Sequence, residues 1–417
     1  MKGPIARATL RTSTVLGLRL FVQACTLLLV ARMLGPHDFG AFAGVAALAV
    51  MLGTLSTFGT HIVLLAEVSR EPQRRATVLP FAISTTLICG SLLFTLYLLL
   101  ATTLLGEAGI GINVLVALGL AELILQPLLN LPGAEHQGHG RIATSQLLIT
   151  LPLALRLLAA GMVWLLHPAD PLRDYVFGYL GASALALGVA TLSLRQGWPA
   201  LRDWRLPQIA ELRHAAGYAV LNLTGTGPAE LDKTLALKLL PLAAAGVYAA
   251  GARVIGALTL PVIAMMLSAL PRLFREGRTD SVRSARLLRW VFVAAIGYSL
   301  VLASLLWITA PLFDLLFGPR YQTIGGSIRW LALAVPGMTL RIAAGSALMA
   351  LGKPWMRVGF EVGGLAVLAA AALVLASRFA LSGMPLALAC SEWSMAMVGW
   401  LAILGQMHQP AEARRNP

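Results

Sequence analysis

Arg32-Met-Leu-Gly-Pro-His-Asp-Phe-Gly40-Ala-Phe42-Ala43 is a short polar corner between two apolar runs, and its residue order returns later in the chain. At Lys238-Leu-Leu-Pro-Leu-Ala-Ala-Ala-Gly246-Val-Tyr248-Ala249 a basic residue is again followed eight positions on by Gly, then by an aromatic and an Ala. The second copy lies 206 residues after the first, about half of the 417-residue length. A repeat of that period in so apolar a chain predicts a membrane transporter built from two similar bundles.

Composition points the same way. Hydrophobic residues make up 58% of the chain and charged ones 12%, where soluble domains carry roughly 25% charged residues. With mean hydropathy at +0.79 and spanning-length apolar runs throughout, the chain reads as an all-α polytopic membrane protein. Cys25, Cys89 and Cys390 fall inside apolar runs without CxxC spacing, so neither a disulfide framework nor a thiolate metal site is expected. No cofactor is called for. Lys2, Arg7 and Arg11 precede an apolar run that contains Arg19 and Gln23 and lacks a cleavage motif, which predicts an uncleaved first span.

Apolar periodicity and breakers predict twelve spans, near 13–33, 41–65, 78–100, 112–131, 142–165, 174–194, 214–238, 246–270, 287–309, 326–350, 358–376 and 385–405. Placing both termini in the cytoplasm puts twenty basic residues in inner segments and three, Arg173, Arg320 and Arg378, in outer loops. That asymmetry is the positive-inside signal, and one missed span would invert it for every later loop. The net charge of +14 is thereby explained by anionic lipid headgroups, with no nucleic acid. The Arg- and Pro-containing segment 195–213 separates an N-terminal bundle, 1–194, from a C-terminal one, 214–417; six spans each gives a parallel repeat.

Ionisable side chains at hydrocarbon depth are costly and therefore mark sites. The basic set is Arg19, Arg32, Arg156, Lys233, Lys238, Arg253, Arg329 and Arg341, and the acidic set is Glu122, Glu230, Asp232, Glu361 and Glu392. Glu122 and Arg156 reach the same depth in an antiparallel hairpin, as a structural ion pair would, while Arg32, Lys238 and Arg329 lie close enough to span ends to snorkel. In the seventh span, Gly225-Thr-Gly227-Pro228 immediately precedes Glu230, Asp232 and Lys233. Gly and Pro there predict a hinge or break, the kind of interruption that lines transporter sites; the plainer alternative is a kinked packing helix with Asp232 paired to a neighbour such as Arg253. His136-Gln-Gly-His139 reads as a solvated turn rather than a metal site, and Gly359-x-x-x-Gly363 as a close helix contact.

Ala31-Arg32-Met-Leu-Gly35-Pro36-His-Asp38-Phe39-Gly40-Ala-Phe42, followed by Leu55-x-x-Phe58-Gly59, resembles the start of the polysaccharide and O-antigen flippases of the multidrug, oligosaccharidyl-lipid and polysaccharide exporter (MOP) superfamily. Asp232-Lys233, Gly246-Val-Tyr248-Ala249-Ala250 and Leu316-Phe317-Gly318-x-x-Tyr321 resemble that family's second half. The resemblance implies a MATE-like fold, two six-helix bundles around a cavity that opens to alternate sides. It also implies transfer of an undecaprenyl-diphosphate-linked oligosaccharide to the outer leaflet of the bacterial inner membrane, driven by H+ or Na+ in some members and in contact with polysaccharide polymerase and assembly proteins. The family's basic cavity residues would correspond to Arg19, Arg156, Lys233, Arg253 and Arg341. Asp232, Glu122, Glu361 and Glu392 would take the coupling ion. Two rivals are a multidrug exporter of the same superfamily, disfavoured by the basic excess, and a membrane-embedded polymerase or ligase, disfavoured by the lack of a sizeable outer loop with catalytic residues.

Overall fold

The computed structural model describes residues 4–106, 109–259, 261–262 and 281–407. The end of the expected eighth span and the inner arginines Arg272, Arg275 and Arg278 lie outside them. The described chain is almost entirely helical: α1 Pro4–Ser56, α2 Thr60–Arg70, α3 Arg75–Leu104, α4 Ile112–Gly119, α5 Gln126–Gly138, α6 Ile142–Leu166, α7 Pro171–Ser193, α8 Ile209–Leu239, α9 Leu242–Leu258, α10 Ser281–Phe317, α11 Ile324–Ala332, α12 Val335–Ala350, α13 Pro354–Phe379 and α14 Gly383–Met407.

Both copies of the opening stretch are helix junctions. Within α1, Gly35 takes φ 74 and ψ 171 immediately before Pro36, which bends the rod at the corner. The positive φ suits Gly, and Pro36 disfavours a helical residue before it. At the second copy α8 ends at Leu239 and Pro241 is extended, φ −55 and ψ 144, before α9 begins.

Eight described helices are long and apolar enough to cross a bilayer, or nine if the pair Ile324–Ala332 and Val335–Ala350, bent by 46°, is one span. This count does not test the expected twelve: the helices on either side of the Gly35 kink are counted together, α8 carries Glu230, Asp232 and Lys233, and α9 has only 17 described residues. Large apolar side chains such as Leu92, Leu165 and Leu192 point outward while the interior is rich in Ala, the distribution expected of helices whose solvent is lipid.

The chain divides into two compact units, Met1–Thr226 and Gly227–Pro417. In the first, α8 begins against the turn before α2. Phe58 and Gly59 have positive φ, 48° and 77°, and a Cβ on Gly59 would meet Ala215 O at 2.5 Å, so that turn admits α8 only as Gly. The expected hinge stretch, Gly225 to Pro228, stays helical within α8, so the chain is not broken there. The division between units falls inside it.

Two other expectations are corrected. His136 is buried, its Nε2 2.9 Å from Ser193 Oγ, because α5 packs on α7 there; it is not part of a solvated turn. Gly359 and Gly363 face open space, and a tight contact of α13 is made by Gly364, where a Cβ would run into the Met395 side chain.

Candidate functional site

In the first unit the helical path between α4 and α5 runs through a π turn, Leu120–Leu125, that carries Glu122. A π turn widens the helix by one residue and recurs at functional sites. Two glycines accommodate it: a Cβ on Gly53 of α1 would lie 2.6 Å from Glu122 O, and one on Gly90 of α3 2.6 Å from Leu123 O. Glu122 Oε1 sits 3.0 Å from Arg156 Nη2 of α6 and also accepts the Tyr179 hydroxyl. Arg156 donates to Ser183 Oγ at 2.9 Å, and its guanidinium lies 3.6 Å from the centre of the Tyr179 ring.

Tyr175, Tyr179 and Ser183 recur every four residues and so form one face of α7. Asp170 caps that helix by accepting from Arg173 N, with Pro171 in the first turn. Phe42, from the opening stretch, packs edge-on against Tyr175 at 5.4 Å and Tyr179 at 6.2 Å. The corner thus closes an aromatic wall over a buried ion pair. Tyr97 OH and Arg156 Nε are buried with no hydrogen-bond partner among the described residues.

The second unit holds a larger cluster. On α8, Lys233 Nζ lies 3.3 Å from Asp232 Oδ1 and 3.5 Å from Glu230 Oε2, and donates to Ala229 O. Tyr248 of α9 donates to Asp232 Oδ2 at 2.8 Å. Arg253 lies in electrostatic range of Glu230. Across the unit, Arg341 Nε of α12 meets Glu392 Oε2 of α14 at 2.5 Å, with Glu361 Oε1 of α13 at 3.8 Å, and Arg357 Nε reaches Glu361 Oε1 at 3.0 Å.

Gly337 sets this arrangement, since a Cβ there would meet Trp393 N at 2.8 Å and Arg341 follows one turn later. Glu361 Oε2 and Glu392 Oε1 are buried without a hydrogen-bond partner among the described residues. Unsatisfied carboxylate oxygens in an apolar interior are costly.

Arg156 and Glu122 therefore come together in one unit, and Lys233, Asp232, Arg341, Glu361 and Glu392 gather in the other. Arg19 is half-buried on α1 with no ion pair or hydrogen bond among the described residues. The partners Tyr179, Tyr248, Ser183 and Arg357 were not anticipated. The four-residue spacings Tyr175/Tyr179 and Arg357/Glu361 were the available signals.

Residues 5–276 match the family model described as Polysaccharide biosynthesis protein. Among solved structures, the chain resembles an inward-facing multidrug resistance MATE family transporter of the MOP superfamily at 15% identity and TM-score 0.77, covering 95% of each chain. An outward-facing conformation of such a transporter aligns at 15% identity and TM-score 0.64, over 98% of this chain and 94% of that one. A MOP superfamily transporter from Pyrococcus furiosus, described as having a binding pocket of reverse polarity, aligns at 15% identity and TM-score 0.65, over 98% and 94%. No curated protein matches.

Proposed function

Because the chain belongs to the polysaccharide biosynthesis protein family and has the MATE transporter fold, we propose that it is a flippase for an undecaprenyl-diphosphate-linked oligosaccharide. It would work by alternating access in the bacterial inner membrane, with cytoplasmic termini, and supply a cell-surface polysaccharide. One observation carries this reading: the deep cations are paired with carboxylates that a better anion could replace, Arg156 with Glu122 at 3.0 Å and Arg341 with Glu392 at 2.5 Å.

A diphosphate offers more charge and more acceptor oxygens than a carboxylate, and guanidinium groups take it bidentately. When it displaces Glu122 or Glu392, that carboxylate is left buried without its cation, a cost the diphosphate contacts offset. Release of the substrate on the far side lets the ion pair reform. The carboxylates take the coupling ion while the substrate is absent, so substrate and ion alternate at the same clusters of side chains. In this scheme Arg19, Arg156, Lys233, Arg253 and Arg341 receive the anionic head; Glu122, Asp232, Glu361 and Glu392 carry the coupling ion; and Gly225, Gly227 and Pro228 provide the flexible point in α8.

The test is leaflet translocation of a lipid-linked diphosphate oligosaccharide in proteoliposomes. Wild type is expected to move it, with Arg156→Gln and Arg341→Gln reducing the rate at least tenfold at equal protein level. Translocation no faster than in protein-free vesicles, or unchanged in both variants, removes the proposal. Export of an organic cation instead would identify a multidrug exporter.

A further inference from the structure

The strap between α7 and α8, expected on the cytoplasmic side from its arginines, has a pinned backbone and an unusual outer surface. Arg75, at the start of α3, is ion-paired with Glu135 at 2.8 Å and donates to Gln196 Oε1 at 3.2 Å and Gly197 O at 2.5 Å. Trp198 Nε1 donates to Thr191 Oγ1 at 2.9 Å, and Trp204 Nε1 to Pro199 O at 3.1 Å. Arg205 grips Glu211 through both guanidinium nitrogens, at 2.9 and 2.6 Å, donates to Thr77 O at 3.1 Å and lies over the Phe81 ring. The two tryptophans pack into an apolar cluster with Leu79, Phe81 and Ala215. These contacts pin the strap to α3 and α7.

The outward face is not. Leu201, Leu206 and Ile209 are 77%, 71% and 86% exposed. Water would not favour three large aliphatic side chains held out on a pinned backbone. Exposed Arg195, Arg202 and Arg213 lie among them in sequence. The strap leaves α7 directly after Leu192, which is 87% exposed at the end of a lipid-facing helix. Apolar side chains interleaved with arginines match one environment, the boundary between acyl chains and anionic headgroups.

We propose that residues 195–213 form an interfacial anchor. Leu201, Leu206 and Ile209 enter the acyl boundary of the inner leaflet, and Arg195, Arg202 and Arg213 contact anionic phospholipid headgroups. Because the strap is bolted to α3 and α7, the anchor fixes the depth of the first unit in the bilayer and gives the first half of α8 a stationary base. The partner is the lipid surface itself, so this assignment stands apart from the transported substrate.

The experiment uses the full-length chain with Cys25, Cys89 and Cys390 replaced by Ser and a spin label at Leu206→Cys or Ile209→Cys. Accessibility to oxygen and to a water-soluble nickel chelate is measured in vesicles of phosphatidylglycerol with phosphatidylethanolamine and in vesicles of phosphatidylcholine. In the anionic vesicles oxygen contact is expected to dominate, at the depth of about 5–10 Å typical of interfacial segments. In phosphatidylcholine, or after Arg195→Gln, Arg202→Gln and Arg213→Gln together, chelate contact is expected to rise severalfold. A label equally deep in both lipids, one open to the chelate in both, or one shielded from both reagents as it would be beneath a protein partner overturns the assignment.

Discussion

Arg156 shows what a guanidinium requires in a hydrocarbon interior. Its charge is met by Glu122, Nη2 also donates to Ser183, and its flat face lies on the Tyr179 ring, while Nε has no hydrogen-bond partner among the described residues. Removing one member of such a pair leaves the other charged and buried, whereas replacing both with neutral isosteres avoids that cost. Glu122→Gln and Arg156→Gln alone are therefore each expected to cost about 3–5 kcal/mol, and the double variant markedly less. Thermal unfolding in detergent checks this, and losses that simply add would refute the coupling. The chain announced the two charges and their matching depth but not the rest of their company: Glu122 and Arg156 stand out in apolar runs, while a Tyr in a span looks the same in sequence whether it faces lipid or a carboxylate.

Among the elements, α8 is the one with two allegiances. Its first turns are wedged against Gly59, and its last carry Asp232 and Lys233 into the second unit. Gly225-Thr-Gly227-Pro228 lies between these attachments, and Pro228 removes one backbone donor from the helix. A Cβ on Gly227 would meet only the tip of Leu365, at 3.3 Å, which a flexible side chain can yield. Gly227→Ala is thus expected to fold normally or to gain about 0.5–1 kcal/mol from reduced unfolded-state freedom. If α8 flexes during transport, the same change slows translocation severalfold without loss of stability. An unaltered rate would remove the hinge. The glycines and proline were legible as weak points, but propensity alone did not reveal that the helix stays continuous through them.

At the scale of the molecule, the strap couples its own charge chemistry to membrane attachment. Hydrogen bonds from Arg205 hold the Glu211 carboxyl below its ordinary range. A carboxylate with a lowered folded-state pKa contributes stability above its ordinary value, about 4.3, and loses that contribution as pH falls through the lowered value. The mobility of a label at Leu201→Cys is therefore expected to stay constant through neutral and mildly acidic pH and to rise only below the usual carboxylate range. Glu211→Gln should show high mobility already at pH 7. A mobility midpoint near pH 6 would exclude the clasp. Fold class was readable because hydropathy answers to the bilayer alone. The boundary of compactness inside α8 was not, because it depends on which side of Gly227 each half of a continuous helix finds its neighbours.

The π turn at Leu120–Leu125 carries a different kind of message. An α-helix advances about 100° per residue, so the extra residue accommodated there sets the azimuth of everything on one side of it relative to the other. Deleting a single residue from this turn would restore regular pitch and swing Glu122 about a quarter of the way round the rod relative to α5, out of line with Arg156. The wide turn is in effect a registration pin: the acid meets its base because the helix holds one residue more than regular winding would allow.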